Sequence, residues 1–157
     1  MKTPRLFLVA LLVGLLATCG LAGAKDFVTP ARKDKCPVCG MFVAKYPKWV
    51  AEIVFKDGSY AVFDGCKDMF KYYLNISRYN KDKTKDDIAD IYVTEYYSTR
   101  IMPSSEVFFV VGSDVLGPMG HEFIPVKGKE NAETFLLDHK GTKIYTFSEV
   151  TPKVIPK

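Results

Sequence analysis

This sequence lacks three features that would place it in a familiar class at once. After its leader it has no apolar run long enough to span a bilayer, which excludes a multi-span membrane protein. Its formal net charge is only +4, and it falls to +2 when Lys2 and Arg5 are removed with the leader, which gives no reason to propose nucleic acid as a partner. Three of its four cysteines follow the leader, and an odd number cannot all pair in a disulfide framework.

Residues 1–24 have the three-part layout of a secretory signal peptide. A basic start precedes an apolar run over residues 6–17, and small residues then fit a cleavage site before Lys25. The stretch LATC also resembles a lipobox, which would make Cys19 a lipid-modified first residue. We therefore expect an exported protein of a bacterial periplasm, either free after cleavage or anchored to a membrane as a lipoprotein. The mature chain, 25–157, is long enough for one compact domain.

The first half of the mature chain has the pattern of a hairpin followed by a helix. Two β-rich runs flank the turn sequence Lys56-Asp57-Gly58, which is a hairpin signal. Asp64 is predicted to cap a helix that runs to about Asn75, since apolar residues recur there at helical spacing. Residues 76–90 are charged and predict a solvated connection. Residues 91–100 are predicted to form an edge or linking strand.

The second half repeats this order of elements. EVFFVVGSDV predicts a strand, GPMGHEFIPV predicts a Gly/Pro loop that leads into another strand, and GKENAETFLLDHKG predicts a helix that ends at Gly141. KIYTFSEV adds a last strand. We therefore predict an α+β fold of two small tandem ββα-type units packed together, over about residues 36–76 and 91–150.

The CPVC motif at residues 36–39 is compatible with several kinds of site. A thiol–disulfide exchange motif needs its first cysteine at a helix N-terminus, where the helix dipole lowers the thiol pKa. Here Gly40 and an extended stretch follow the motif instead. A structural zinc site could combine the pair with Cys66 and His121, because zinc sites often use Cys-x₂-Cys spacing. The simpler interpretation of Cys66 is a small buried apolar residue.

A site for a soft monovalent metal is the third possibility. Thiolates and thioethers select Cu(I), whereas zinc rarely takes methionine. Met41 lies two residues after Cys39, on a turn that Gly40 can hinge. Met119 lies in a Gly/Pro loop where no helical or strand pattern requires an apolar residue, and His121 follows two positions later. A loop methionine that simply packs inward is the competing interpretation.

Two motifs resemble a known family. CPVCGM near the mature N-terminus and GSDVLGPMGHEFIPV in the second half resemble the NosL family. Its members are exported, often lipid-anchored, copper-binding accessory proteins for the assembly of nitrous oxide reductase. The segments FKDGSYAVFDGCKDMFKYYL and IMPSSEVFFVVGSDV are similar too, so the resemblance covers nearly the whole mature chain. The motifs are short, but their order and separation make the combination specific.

The resemblance implies a fold similar to the organomercurial lyase C-terminal region, and Cu(I) carriage rather than catalysis. By position it implies Cys39, Met41 and Met119 as copper ligands, together with Cys36. His121 is a further candidate ligand from the same motif. The implied partners are the copper ion and a periplasmic cuproenzyme acceptor such as nitrous oxide reductase.

Enzymatic activity is the alternative from a different class. Cleavage of a metal–carbon bond could use Cys36 and Cys39 with Asp64 as the acid, but this rests on fold analogy alone, and a shared fold does not carry activity with it. A periplasmic thiol oxidoreductase would use the same cysteine pair. We predict that the chain is not an enzyme.

Overall fold

The computed structural model describes residues 27–156. The predicted signal peptide over 1–24, the lipobox at Cys19 and the alternative start at Lys25 lie outside the described residues, so export and anchoring stay predictions. Over the part of the chain that is described, no helix combines the length and the apolar character that a membrane crossing requires.

The first sheet is built around the predicted hairpin. Strands β1 (Ala51–Phe55) and β2 (Tyr60–Phe63) pair antiparallel. Strand β3 (Ile88–Thr94) pairs with the other edge of β1, and β4 (Ile101–Pro103) pairs with β3. The resulting antiparallel order is β2-β1-β3-β4. Every residue of β1 is buried, as expected for a strand that is paired on both edges and covered on both faces.

Helix α1 (Cys66–Leu74) follows β2 directly, and the short α2 (Ile76–Tyr79) continues from it. The end of α1 agrees with the predicted end near Asn75, but the predicted N-cap at the start of the helix is corrected. The residue before the helix is Gly65, and no side chain caps the helix. The prediction that Asp64 is the N-cap is therefore wrong, because its carboxylate accepts a hydrogen bond from Cys39 instead.

The second sheet has three antiparallel strands, and a helix covers it. The elements of this half are β5 (Val107–Val111), β6 (Leu116–Gly117), β7 (Gly120–His121), β8 (Ile124–Lys127), α3 (Lys129–Asp138) and β9 (Lys143–Tyr145). The central strand of the sheet is β5, and the strand order is β8-β5-β9. Strands β6 and β7 form a short hairpin inside the predicted Gly/Pro loop.

The two sheets share one hydrophobic core through helix α1. Phe70 on this helix contacts Phe109 of β5 and Phe123 of the segment before β8, with ring centroids 5.0 and 4.8 Å apart. Met69 is fully buried in the same core. Since α1 packs against both halves, its first turn lies where the two halves meet.

Two predictions about the middle of the chain are corrected. Segment 91–100 was expected to be an edge or linking strand, but its first residues belong to β3, which lies between β1 and β4. Segment 76–90 contains α2, a 3₁₀ turn at Lys85–Asp87 and the start of β3, rather than only a connection. The position of β3 depends on which strands its backbone pairs with, and the pattern of side chains along the sequence predicts that pairing poorly.

Candidate metal centre

The two cysteines of the CPVC motif lie in one tight loop. The N–H of Cys36 donates to the carbonyl of Met41 at 2.8 Å, and the N–H of Gly40 donates to the carbonyl of Cys36 at 2.9 Å. A β-bridge between Lys35 and Phe42 closes the base of the loop. Gly40 has φ = +81°, a left-handed conformation that glycine adopts without steric cost. The sequence Cys-Gly-Met therefore supplies the turn that brings the two thiols together.

Two carboxylates from the start of α1 complete a group of four potential ligands. The Sγ of Cys36 lies 3.5 Å from Oδ2 of Asp68, and the Sγ of Cys39 lies 3.2 Å from Oδ1 of Asp64. The ligand atoms of these four residues all lie within 4.8 Å of one another. One metal ion could therefore contact both sulfurs after small side-chain movements.

Burial keeps both thiols protonated in the metal-free protein. Cys36 is 1% exposed, and this burial raises the pKa of its thiol well above the usual range. Burial, together with the hydrogen bond to Asp64 and against the N–H of Met41, raises the pKa of Cys39 to about 11. Each protonated thiol therefore donates a hydrogen bond to a carboxylate. Metal binding must release the two thiol protons.

The carboxylates have unused capacity for a cation or a proton. Asp64 and Asp68 are each 2% exposed. The second oxygen of Asp64, Oδ2, is buried without a hydrogen-bond partner. Asp68 Oδ1 accepts from Lys71 Nζ at 2.9 Å, so only its other oxygen faces the thiols. A buried oxygen without a partner costs about 1–3 kcal/mol, and a proton or metal ion at this site would remove that cost.

The structure places the other three predicted ligands differently. Met41 is partly buried in the loop of the cysteine pair. Met119 is 45% exposed at the turn of the β6–β7 hairpin, and its carbonyl accepts from Nζ of Lys67 on α1 at 2.7 Å. Its backbone therefore lies beside the helix turn that carries Asp68. His121 is exposed on β7 and is not part of the four-ligand group.

A buried carboxylate joins this hairpin to α1. Glu122 Oε2 accepts from the backbone N–H of Lys67 at 2.7 Å. The side chain of Glu122 fits here because two glycines leave room for it. A Cβ on Gly65 would lie 2.7 Å from Glu122 Oε1, and a Cβ on Gly117 would lie 2.5 Å from its Cγ. The hydrogen bond between Glu122 and Lys67 and the hydrogen bond from Lys67 Nζ to the Met119 carbonyl together hold the β6–β7 hairpin against the first turn of α1.

Glu122 also makes the stability of the metal-free fold depend on pH. Burial raises the pKa of Glu122 to about 8, against the N–H and the charge of Lys67, and the charge on Asp68 adds to the rise. The folded chain keeps a proton that the unfolded chain releases above a pKa of 4.5, so stability falls as pH rises from about 4.5 to about 8. We expect Glu122→Gln to flatten this decline, because an amide does not titrate. Urea unfolding at about pH 5 and about pH 8 measures it.

The slope should shrink rather than vanish in that variant. Glu52 is buried in β1, and burial raises its pKa to about 7, so it contributes a decline of the same sign. The matched control is Glu106→Gln, at an exposed carboxylate, which should keep the wild-type slope. An unchanged slope in Glu122→Gln would show that another group titrates in this range.

Two alternative interpretations of the cysteines lose support. Cys66 is buried on α1 and lies outside the four-ligand group, so the Cys₃His zinc set with His121 is not brought together among residues 27–156. Thiol–disulfide exchange needs a lowered thiol pKa at a helix N-terminus. Cys36 lies in a loop instead, and burial raises its pKa.

Comparison with known proteins identifies the family of the chain. The sequence profile of the NosL family matches residues 27–155. The chain belongs to the NosL family. No curated protein sequence matches the chain. Membership of the NosL family confirms both the predicted resemblance and the prediction that the chain is not an enzyme.

One solved NosL structure has the same kind of fold. The crystal structure of the copper chaperone NosL from Shewanella denitrificans matches with a TM-score of 0.68 and 23% sequence identity, over 82% of this chain and 98% of that chain. The solution structure of apo-NosL from Achromobacter cycloclastes matches with a TM-score of 0.46 and 21% identity, over 67% of this chain and 87% of that chain. The first match supports the mixed fold of antiparallel sheets and few helices.

Sequence reasoning missed two residues of the four-ligand group. Asp64 was assigned to helix capping, and Asp68 was not considered for the metal site. A signal was available, since carboxylates at positions i and i+4 around a helix start lie on one side of it. What the sequence could not supply was the packing of that turn against the loop of Cys36 and Cys39, which lie 32 and 25 residues away from their carboxylate partners.

Proposed function

We propose that this chain is an exported chaperone that carries one Cu(I) ion on the thiolates of Cys36 and Cys39 and on a methionine thioether. The observation that carries the proposal is the convergence of the two thiols on one point, with one sulfur buried and the other partly exposed. Family membership supports it, because the structural relative from Shewanella denitrificans is a copper chaperone.

Ligand chemistry favours Cu(I) as the cargo. Thiolate and thioether sulfurs are soft donors that select Cu(I), whereas carboxylates prefer harder ions. Met41 shares the loop of the cysteine pair, and Met119 lies on the hairpin fixed to α1. We infer that at least one of these methionines supplies a third, sulfur ligand. The imidazole of His121 is the candidate for a further ligand. The partial exposure of Cys39 lets an incoming ligand reach the metal, as a carrier requires.

Loading and release follow from the proton balance. Two thiols and one Cu(I) ion give a dithiolate complex and two protons. Asp64 and Asp68 each lie within hydrogen-bond distance of one sulfur, so they are the first acceptors of these protons. Release to an acceptor reverses these transfers.

The wider setting of the protein belongs to the same proposal. We infer that residues 1–24 direct export to a periplasm, that Cys19 provides a lipid anchor if cleavage precedes it, and that the acceptor is a cuproenzyme such as nitrous oxide reductase. Tandem ββα units, with similarity to the organomercurial lyase C-terminal region, remain our interpretation of the fold. They are consistent with the central position of the first strand in both sheets.

Metal competition tests the proposed function. We expect the reduced mature protein to bind one Cu(I) per chain in titrations against a chromogenic Cu(I) chelator. We expect an excess of Zn(II) not to displace it, because two thiolates and a thioether favour the softer ion. Cys66→Ala should bind Cu(I) as tightly as wild type, since this cysteine lies outside the ligand group. Stoichiometric Zn(II) binding that Cu(I) does not displace would favour a structural zinc protein instead.

A further inference from the structure

The positive charge of the mature chain is concentrated around the cysteine loop. Residues 27–50 contain five basic side chains and a single acidic one, Asp34, whereas residues 51–157 have two more acidic than basic side chains. The carboxylates of the site add no exposed acidic group to this surface, because Asp64 and Asp68 are buried. The basic residues of the segment are Arg32, Lys33, Lys35, Lys45 and Lys48, and all are exposed.

Two of these cations frame an exposed aromatic ring at the base of the loop. Phe42 is 38% exposed, and the Nζ atoms of Lys35 and Lys45 lie 4.8 and 5.5 Å from its ring centroid. Lys35 and Phe42 form the β-bridge that closes the loop. We call Lys35, Phe42 and Lys45 the basic rim. The cation–π contacts are worth only about 0.5–1 kcal/mol each at an exposed site, so the rim is free to rearrange against a partner.

Metal transfer dictates which face of the protein an acceptor meets. Cys36 is buried and Cys39 is partly exposed, so the ligands of an acceptor reach the metal from the side of Cys39. An approaching protein therefore covers the neighbouring surface, which includes the basic rim, whose members lie within six residues of Cys39 along the chain. Charges around such a contact steer encounter and raise association rates by about 10–1000-fold when the partner is complementary.

We propose that the basic rim is a docking surface for an acidic patch around the metal site of the copper acceptor. This inference rests on the proposed function, since it assigns the contact through which that cargo leaves. An anionic membrane is the other partner that a basic, aromatic surface could meet. Docking on a membrane would cover the partly exposed Cys39 and close the transfer path, so the geometry favours the protein acceptor.

Cu(I) transfer from the chaperone to an acidic or to a basic dithiol peptide tests the proposal. The Cu(I)-loaded mature protein is mixed with a dansyl-labelled peptide that contains one Cys-x-x-Cys pair flanked by four glutamates, or with the same peptide flanked by four lysines. Three Cu–S bonds to the chaperone break and two Cu–S bonds to the peptide form, and the two thiol protons of the peptide pass to the thiolates of Cys36 and Cys39. We expect transfer to the acidic peptide to be at least about tenfold faster at low salt, and the difference to disappear at about 1 M salt.

Charge reversal locates the effect on the rim. Lys35→Glu/Lys45→Glu should lose or invert the preference while keeping the wild-type Cu(I) affinity in chelator competition. Lys129→Glu/Lys140→Glu, at exposed lysines of the second half, is the matched control and should keep the preference. Equal rates for both peptides with the wild-type protein would overturn the docking surface.

Two further outcomes would also overturn the proposal, each for its own reason. In the first, the two peptides receive Cu(I) at equal rates, and the wild-type protein binds phosphatidylglycerol vesicles whereas Lys35→Glu/Lys45→Glu does not. This result would assign the rim to a membrane. Failure of the wild-type protein to load Cu(I) at all would overturn the proposed function itself, and the rim would then have no cargo to hand over.

Discussion

Replacing Cys39 by serine is expected to abolish tight Cu(I) binding. The hydroxyl keeps the size of the thiol and can still donate to Asp64, which lies 3.2 Å from the sulfur, so the loop should fold as in wild type. A serine hydroxyl does not ionise near neutral pH and is a hard donor, so the soft pair that selects Cu(I) is lost. The affinity should fall by well over the 10–100-fold that changes outside the ligand set typically cause.

The third cysteine provides the control for that variant. Cys66 is buried beside Glu122, away from the four-ligand group. Cys66→Ala should lower the free energy of unfolding and leave the Cu(I) affinity unchanged, which is the reverse of the pattern for Cys39→Ser. Chelator competition and thermal melts of the metal-free proteins separate the two patterns. Wild-type copper affinity in Cys39→Ser would remove the cysteine pair from the site.

Met119→Leu is expected to weaken Cu(I) binding about tenfold or more without unfolding the protein. Leucine keeps the volume and apolar character of methionine, and such a swap usually costs less than about 1.5 kcal/mol even in a core. Met119 is 45% exposed, so the cost here should be smaller still. Leucine has no lone pair to donate, so a drop in affinity would identify the thioether as a ligand.

Two matched swaps make this result interpretable. Met69 is fully buried on α1, and Met69→Leu should trim stability slightly while the copper affinity stays at the wild-type value. Met41→Leu should resemble Met119→Leu if both thioethers bind, and should resemble Met69→Leu if Met119 alone supplies the third sulfur. Wild-type affinity in Met119→Leu would mean that the second half contributes no thioether to the metal.

The hairpin and the helix were predictable from sequence because their signals are local. The turn sequence at 56–58 lies between two β-rich runs, and the apolar spacing of 66–74 extends over whole turns, so neighbouring residues alone determine these elements. The loop of the cysteine pair was predictable for the same reason, since Gly40 supplies the positive φ that the turn requires.

The carboxylates and the position of β3 were not predictable in this way. An aspartate just before a helix usually caps it, but Asp64 turns to a thiol that only tertiary packing brings near. The residues of β3 are mostly of intermediate burial, as on an edge strand, yet its backbone pairs on both sides. Both errors come from long-range contacts, which a local pattern does not encode.

X-ray absorption at the copper edge, on the reduced mature protein loaded with one Cu(I), tests the central claim most directly. That claim is that sulfur from the cysteine loop, together with a methionine thioether, holds the metal. We expect a coordination shell of sulfur alone, which loses one scatterer in Met119→Leu and collapses in Cys39→Ser. A shell with imidazole scattering would bring in His121, and a shell of oxygen from Asp64 and Asp68 in place of sulfur would contradict the claim.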